Sequence, residues 1–440
     1  MSEETASYSA VFTTKTQYSL PRTKYMIPRS WARFHLSQLI NKVLALAKPV
    51  PFEFLIRGEV LRSSLAEWCA ERGVGEEETL EIEYLESIMP PEQMASFEED
   101  DWVSCVSCRI PGRFLSGSYD GQFRIYDASQ KLIRAVPVHN APITSTCWLP
   151  SGSGVDNERV VATASQDATV KLTAVSLDAE GSEPRPLASL HLHTAPISSV
   201  SSNPDEDMLI TASWDTTIGI WTTMIPDADE TLPNEDAEPR TKKRRKVSAE
   251  GKRKLPSVVL KSHTKKVSGA AFTSNSNAVS CGLDSTVRTW DVEAGVCTNT
   301  ITAAEKPFIH LGLSRVSTLS RVFVASTDRT LSLYDLSSGR SASAAPTLSF
   351  LHPSLPSCIA TSTTDEWRCL TGSYDGIARI WDIRSAKAAV SSFHVFENEP
   401  LKSKGDRKIL SLDWANGVVC AGGENGMEVW RVGESGTVLS

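Results

Sequence analysis

One pattern recurs through most of the 440 residues and constrains the fold more than any other feature of the chain. Three of its copies read Gly117-Ser-Tyr-Asp-Gly-Gln-Phe-Arg-Ile-Tyr-Asp127, Ala164-Ser-Gln-Asp-Ala-Thr-Val-Lys-Leu172 and Ala212-Ser-Trp-Asp-Thr-Thr-Ile-Gly-Ile-Trp221. Three more run from Cys281 to Asp291, Ala325 to Asp335 and Gly372 to Asp382, and a shorter seventh from Gly422 to Trp430. The turn residues are Asp120, Asp167, Asp215, Asp284, Asp328, Asp375 and Asn425, spaced 47, 48, 69, 44, 47 and 50 apart.

Each copy has the same physical logic. A short apolar strand ends in a small-polar turn built on Asp, and the next strand alternates apolar and polar residues before closing on Trp or Tyr. A small antiparallel sheet of this kind cannot bury its faces alone, so neighbouring sheets must pack, and a ring leaves no exposed end. These segments resemble WD repeats, and seven of them imply a seven-bladed β-propeller over residues 101–440. In WD repeats a His ahead of the first strand bonds the turn Asp and is linked through Ser or Thr to the Trp. Only the third blade has the whole set, His193, Ser213, Asp215 and Trp221, which the resemblance makes a structural network. The fourth has His263, Asp284 and Trp290 with Gly282 for Ser, and the sixth His352, Ser373, Asp375 and Trp381. The second has Thr173 in place of Trp, and blades one, five and seven lack the His. A His–Asp–Ser set invites a catalytic reading, but its repetition suits a scaffold bond better.

The residue before the turn Asp is aromatic in three copies, Tyr119, Trp214 and Tyr374, and is expected at the rim of a partner-binding face. The one long interval holds a polar, charged stretch at 225–256, expected to be a mobile insertion between blades three and four. Within it Lys242, Lys243, Arg244, Arg245 and Lys246 form a run suited to a nuclear import receptor, and compatible with RNA phosphates.

Charge is segregated along the chain. The net formal charge of −8 argues against a general nucleic-acid coat. Residues 73–101 carry eleven acidic side chains and no Lys or Arg, whereas 242–254 carry eight basic and one acidic. Nine thinly spread cysteines make no disulfide framework, which places the chain in a reducing compartment. Cys105 and Cys108 form a lone Cys-x-x-Cys without a second pair, so no metal site is expected. No apolar stretch approaches a membrane span, and no phosphate loop or His-Glu-x-x-His is present. No enzyme, membrane or small-molecule substrate is expected.

The N-terminal part follows another grammar. Ser9–Thr14 and Lys24–Pro28 read as a hairpin, Ser37–Lys48 as an amphipathic helix stopped by Pro49 and Pro51, and Phe52–Ile56 as a strand. A short return strand at Val60-Leu61, a helix over Leu65–Arg72 and a strand over Thr79–Leu85 follow, an order that resembles ubiquitin. The chain thus divides into a flexible 1–8, an α+β ubiquitin-like domain at 9–87, an acidic linker at 88–100 and a mainly β propeller at 101–440. Whether the propeller's last outer strand comes from Thr437–Leu439 or from the stretch before Asp101 stays open.

The words Pro49-Val-Pro-Phe52, Phe54-Leu-Ile-x-Gly58, Leu61-Arg-x-Ser-Leu65, Ile82-Glu-Tyr84 and Asp101-Trp-Val-Ser104 resemble the ubiquitin-like, Notchless-like domain joined to a WD propeller in large-subunit ribosome assembly factors. Within that group the chain is similar to the WD-repeat member of the PeBoW-type complex. The resemblance implies a non-catalytic factor of the pre-60S particle and of pre-rRNA processing, in the nucleus, nucleolus and nucleoplasm. It implies as partners a block-of-proliferation-type WD-repeat protein, a pescadillo-type BRCT protein and the AAA ATPase midasin, with contact to pre-rRNA left open. In this family the ubiquitin-like domain offers an acidic side chain to a Mg²⁺ held by midasin. Counting back from Leu80 makes that residue Glu77, with Glu76 and Glu78 as register alternatives. The chain needs no cofactor of its own on this reading. A Notchless-type sibling acting later on the particle and a WD-repeat adaptor in ubiquitin signalling are the alternatives.

Overall fold

The computed structural model describes residues 7–14, 16, 18–46, 49–75, 78–87, 90–150, 157–178, 181–230, 251–303, 306–314, 321–336, 346–363, 365–384, 389–397 and 407–433. The N-terminal module has strand β1 (Ser7–Thr13), β2 (Lys24–Pro28), helix α1 (Arg33–Leu44), β3 (Phe52–Ile56), β4 (Glu59–Val60), helix α2 (Leu65–Arg72) and β5 (Leu80–Glu86). Its sheet runs β2-β1-β5-β3-β4, with β1 and β5 parallel at the centre, which is the ubiquitin-like arrangement the element order implied. Alternation in β1 buries Tyr8, Ala10 and Phe12, and α1 lays Leu36 and Ile40, four apart, into the same core as Phe52, Phe54 and Tyr84. A Ser64–Glu67 capping box starts α2 and Gly73, at φ 63°, ends it.

Three boundaries differ from the sequence reading. β1 begins at Ser7 and Tyr8 is buried, so residues 7 and 8 belong to the folded module and not to the expected flexible start, whose residues 1–6 lie outside the described residues. α1 lies four residues earlier than expected. Its end is set by Asn41, whose amide bonds the backbone N and O of Val50 at 2.7 Å each, which turns the chain at Ala45 (φ 49°) before the prolines are reached. The expected acidic linker contains β6 (Glu92–Phe97), which belongs to the propeller.

Among the described residues the repeats form seven sheets, with inner strands Val103–Ser107, Ile143–Pro150, Ile197–Ser202, Val267–Phe272, Phe308–Leu313, Pro356–Thr361 and Ile409–Ala415. Every inner strand shifts register between its first and third residues. A bulge of this kind re-aims the residue it extrudes. Five of the extruded residues carry a hydroxyl that reaches the carbonyl opening the next inner strand. Ser104 reaches Ile143 at 2.5 Å, Thr144 reaches Ile197 at 2.7 Å, Ser198 reaches Val267 at 2.7 Å, Ser268 reaches Phe308, and Ser357 reaches Ile409 at 2.5 Å. The ring closes where Ser411 Oγ accepts from Val106 N at 3.2 Å.

The last blade takes its outer strand from β6, which lies beside Gly426–Arg431. Ala95 and Phe97 enter one core with Val103, Val106, Met427 and Val429. The fit leaves no room at Gly426 (φ 118°), where a Cβ would stand 2.2 Å from Phe97 O. Thr437–Leu439 lie outside the described residues.

The insertion falls within the third blade, not between blades three and four. It leaves after Thr217–Thr222, and the third blade is completed by Val258–Lys261 on its far side. Before that return, Lys252–Lys254 adds a parallel fifth strand to the second blade, with Lys254 opposite Leu190. The expected mobile segment is therefore ordered at that end. Lys254 is buried, and its ammonium donates to Thr222 O at 2.6 Å and Thr222 Oγ1 at 2.8 Å. Composition pointed the other way because the stem of a lysine buries well once its charge finds oxygen partners.

Candidate functional site

The acidic loop is anchored at both ends, by buried Val74 after α2 and by Leu80, which pairs with Ala10 at the start of β5. Glu76 and Glu77 lie outside the described residues. Glu78 is exposed and ion-paired with Arg57, which with Gly58 makes the β3–β4 turn at φ 54° and 77°. A half-exposed pair contributes at most about 1 kcal/mol. It nevertheless engages one of the three carboxylates within the module.

The blade network is present, but one member differs from the expected set. In the third blade His193 Nδ1 lies 3.0 Å from Asp215 Oδ2, and its Nε2 lies 2.9 Å from Thr211 Oγ1. The same hydroxyl accepts from Trp221 Nε1 at 3.0 Å, so Thr211 is the link and Ser213 is not. Ser213 instead accepts from Asp215 N at 3.2 Å and donates back to the loop carbonyls of Ala195 and Pro196. The linking hydroxyl sits four residues before the turn Asp. In the fourth blade Ser280 serves His263 at 2.7 Å and Trp290 at 2.8 Å, so Gly282 costs it nothing. In the second Thr163 serves His139 at 2.9 Å, and in the sixth Thr371 serves His352 at 2.8 Å. The sixth blade also departs in its Asp, since Asp375 is held by Arg379 at 2.6 Å.

These carboxyls sit well below their usual range. For Asp215 and Asp284 burial alone would push the pKa up, but the bonds from His193 or His263 and from the neighbouring threonine outweigh it. Asp167 is brought to about 2 by the same balance, with His139 and Thr169. Thr211 and Ser280, the hydroxyls facing the histidines, are fully buried, which suits a cross-strand brace and leaves no access for a substrate.

The blades without the histidine use other groups. In the first, buried Glu99 accepts from Ser116, from Tyr126 at 3.3 Å and from Arg124 at 3.1 Å, and Arg124 also holds Asp120 at 2.5 Å. In the fifth Lys306 pairs with Asp328 at 2.7 Å, and in the seventh Lys408 pairs with Glu424 at 2.7 Å.

The rim is built by one backbone bond repeated in all seven blades. The residue before the turn Asp, or before Asn425, donates its N–H to the carbonyl of the residue that opens into the inner strand. The pairs are Tyr119–Trp102, Gln166–Pro142, Trp214–Pro196, Leu283–Lys266, Thr327–Pro307, Tyr374–Leu355 and Glu424–Lys408, at 2.9–3.3 Å. Both partners therefore stand on one end of the propeller. Trp214 and Tyr374 are 43% and 42% exposed, and Tyr119 is half-buried against Trp102, their ring centroids 5.6 Å apart. Burial pushes the Tyr119 phenol up, with Tyr374 and Asp101 adding to it. Sequence reasoning missed Trp102, itself 41% exposed, because it precedes an inner strand and not a turn Asp. It also missed the lysines. Lys266 Nζ lies 3.8 Å over the Trp214 ring, and Lys408 Nζ lies 5.8 Å from the Trp102 ring and 5.9 Å from that of Tyr374. Lys242, Lys243, Arg244, Arg245 and Lys246 lie outside the described residues. Among the described residues no group of His, Cys, Asp and Glu is arranged to hold a metal ion.

An N-terminal module of this topology followed by a seven-sheet propeller defines a class, and the family models agree with it. Residues 8–69 match the NLE (NUC135) domain, and 91–127, 130–173, 184–222, 254–291 and 347–382 match the WD domain, G-beta repeat. The first repeat match begins at β6, ahead of Asp101. The chain is thus an NLE-domain WD-repeat protein. It is 50% identical over 438 residues to ribosome biogenesis protein YTM1 of Laccaria bicolor, covering 97% of this chain and 95% of the relative. It is 31% identical to the protein of that name from Aspergillus oryzae (100% and 95% covered) and 29% identical to that of Saccharomyces cerevisiae (92% and 93%). The chain belongs to the YTM1 family.

Proposed function

We propose that this chain is a non-catalytic assembly factor of the large ribosomal subunit that acts in the nucleus, nucleolus and nucleoplasm. The observation that carries the reading is similarity along both modules at once to relatives named for ribosome biogenesis, at 50% identity over 97% of the chain. On this reading the propeller carries a block-of-proliferation-type WD-repeat protein, joined by a pescadillo-type BRCT protein. The ubiquitin-like module is the handle for midasin, and a carboxylate of the acidic loop completes the shell of a Mg²⁺ that midasin holds, a hard cation suited to oxygen ligands. The Arg57–Glu78 ion pair favours Glu77 over Glu78 in that role, because a paired carboxylate must break its bond first. ATP-driven pull on the handle then removes the complex from the particle. The basic run at 242–246 serves as the import address.

The test is affinity purification of the tagged protein beside a Glu77→Ala copy, with bound proteins and RNAs identified. Pre-60S particles and both PeBoW-type partners are expected with either copy, and midasin with the unaltered one alone. Recovery of ubiquitin-ligase subunits without pre-rRNA overturns the function, and undiminished midasin with the variant overturns the role of Glu77.

A further inference from the structure

The rim of the propeller carries more than docking aromatics. Going round from the third blade to the first it presents Trp214, then Lys265 and Lys266, then Tyr374, then Arg407, then Trp102. Rings and cations alternate along this arc. The carboxylates beside it are largely engaged by their own blades: Asp328 by Lys306, Asp375 by Arg379, Glu424 by Lys408 and Asp120 by Arg124. Exposed Lys265 and Lys266 and half-buried Arg407 are additional to those pairs, and exposed Asp100 and Asp101 precede Trp102 at the far end. Arg407 has its Nε buried with no hydrogen-bond partner. The overall charge of −8 therefore coexists with a local surplus of cations.

The pattern discriminates between classes of partner. Cores of protein–protein interfaces are depleted in lysine, whereas a groove for single-stranded nucleic acid combines cations that follow the phosphates with aromatic faces on which bases stack. Lys266 over Trp214 sets a cation beside a ring that is still 43% exposed, and this places a phosphate contact next to a stacking platform. We propose that this arc binds single-stranded RNA, with Trp214, Tyr374 and Trp102 stacking bases and Lys265, Lys266 and Arg407 meeting phosphates. The assignment stands independently of the midasin and PeBoW-type partners.

The experiment uses the full chain with Lys242–Lys246 replaced by serine, so that the basic run contributes nothing. Binding of labelled oligo-uridine and oligo-adenosine is followed by fluorescence anisotropy over a series of salt concentrations. Affinity is expected to fall linearly on a log–log salt plot, and Lys265→Ala with Lys266→Ala to flatten the slope by about 0.7 for each phosphate left without its cation. Trp214→Leu is expected to weaken binding by about fivefold or more with the slope unchanged, since it removes stacking and no charge. Both sites are exposed, so an unchanged melting midpoint ties each effect to the surface. No binding at low salt, affinities unmoved by these substitutions, or equal displacement by a poly-glutamate peptide overturns the proposal, the last in favour of an acidic protein partner.

Discussion

Arg124 donates to Glu99 across 3.1 Å in the first blade, where the second, third and fourth blades place a histidine on the turn Asp. The acid reverses the charge of the brace, and Arg124 bridges it to Asp120. Burial pushes the Glu99 carboxyl up, with Ser116 and Arg124 opposing. Arg124→Ala leaves a buried charge uncompensated and is expected to cost about 3–5 kcal/mol in urea unfolding. The loss should shrink as pH falls through the raised pKa of Glu99, because the folded state then binds the extra proton and the neutral carboxyl needs no partner.

Thr211 holds two buried donors or acceptors with one hydroxyl. Thr211→Val leaves His193 Nε2 and Trp221 Nε1 unpaired and is expected to cost about 2 kcal/mol or more. Thr211→Ser should be tolerated, as Ser280 fills the same role in the fourth blade. Equal stability of the two variants by thermal unfolding contradicts the assignment.

His310 and His352 make stability depend on mild acid. Burial lowers both to about 4 from 6.5, and His310 Nδ1 accepts from Ile359 N at 3.3 Å, which requires it unprotonated. The unfolded chain binds the proton first, so their contribution is complete above pH 6.5 and is lost as pH falls from there toward 4. His310→Gln is expected to flatten the slope of stability against pH in that window. An unchanged slope speaks against the buried neutral imidazole.

Lys252–Lys254 stays on the second blade only if Gly251 can take φ 79° with its Cα close to Leu187, where a Cβ would stand 2.8 Å from the carbonyl carbon. Gly251→Ala is expected to detach this strand and raise hydrogen exchange at 252–254. The effect should not extend to the inner strand Ile143–Pro150.

β6 sets the minimum propeller. A chain starting at Pro91 keeps the strand beside Gly426–Arg431, and one starting at Asp101 leaves the last blade with three strands. The shorter piece is expected to lose cooperative unfolding, read by circular dichroism against denaturant, while the longer one keeps it. Gly426→Ala in the full chain should approach the same defect, since its Cβ would meet Phe97 O.

The sequence by itself determined the repeat, the turn positions, the number of blades and the order of elements in the N-terminal module. Turn chemistry and strand alternation are local, and they recur, so each copy corroborates the next. Tertiary structure alone decided which strand completes the last blade. Residues 92–97 are separated from Gly426–Arg431 by more than three hundred residues, and nothing in their acidic surroundings marks a strand. It also decided between Thr211 and Ser213. Both hydroxyls stand on the same face of one strand, two residues apart, and only the depth reached by the Trp221 indole selects the first. The docking of Lys254 and the replacement of a histidine by Glu99 follow the same rule. A buried charge is placed by the partners that surround it, and these come from neighbouring segments 17 to 32 residues away, beyond the reach of a local pattern.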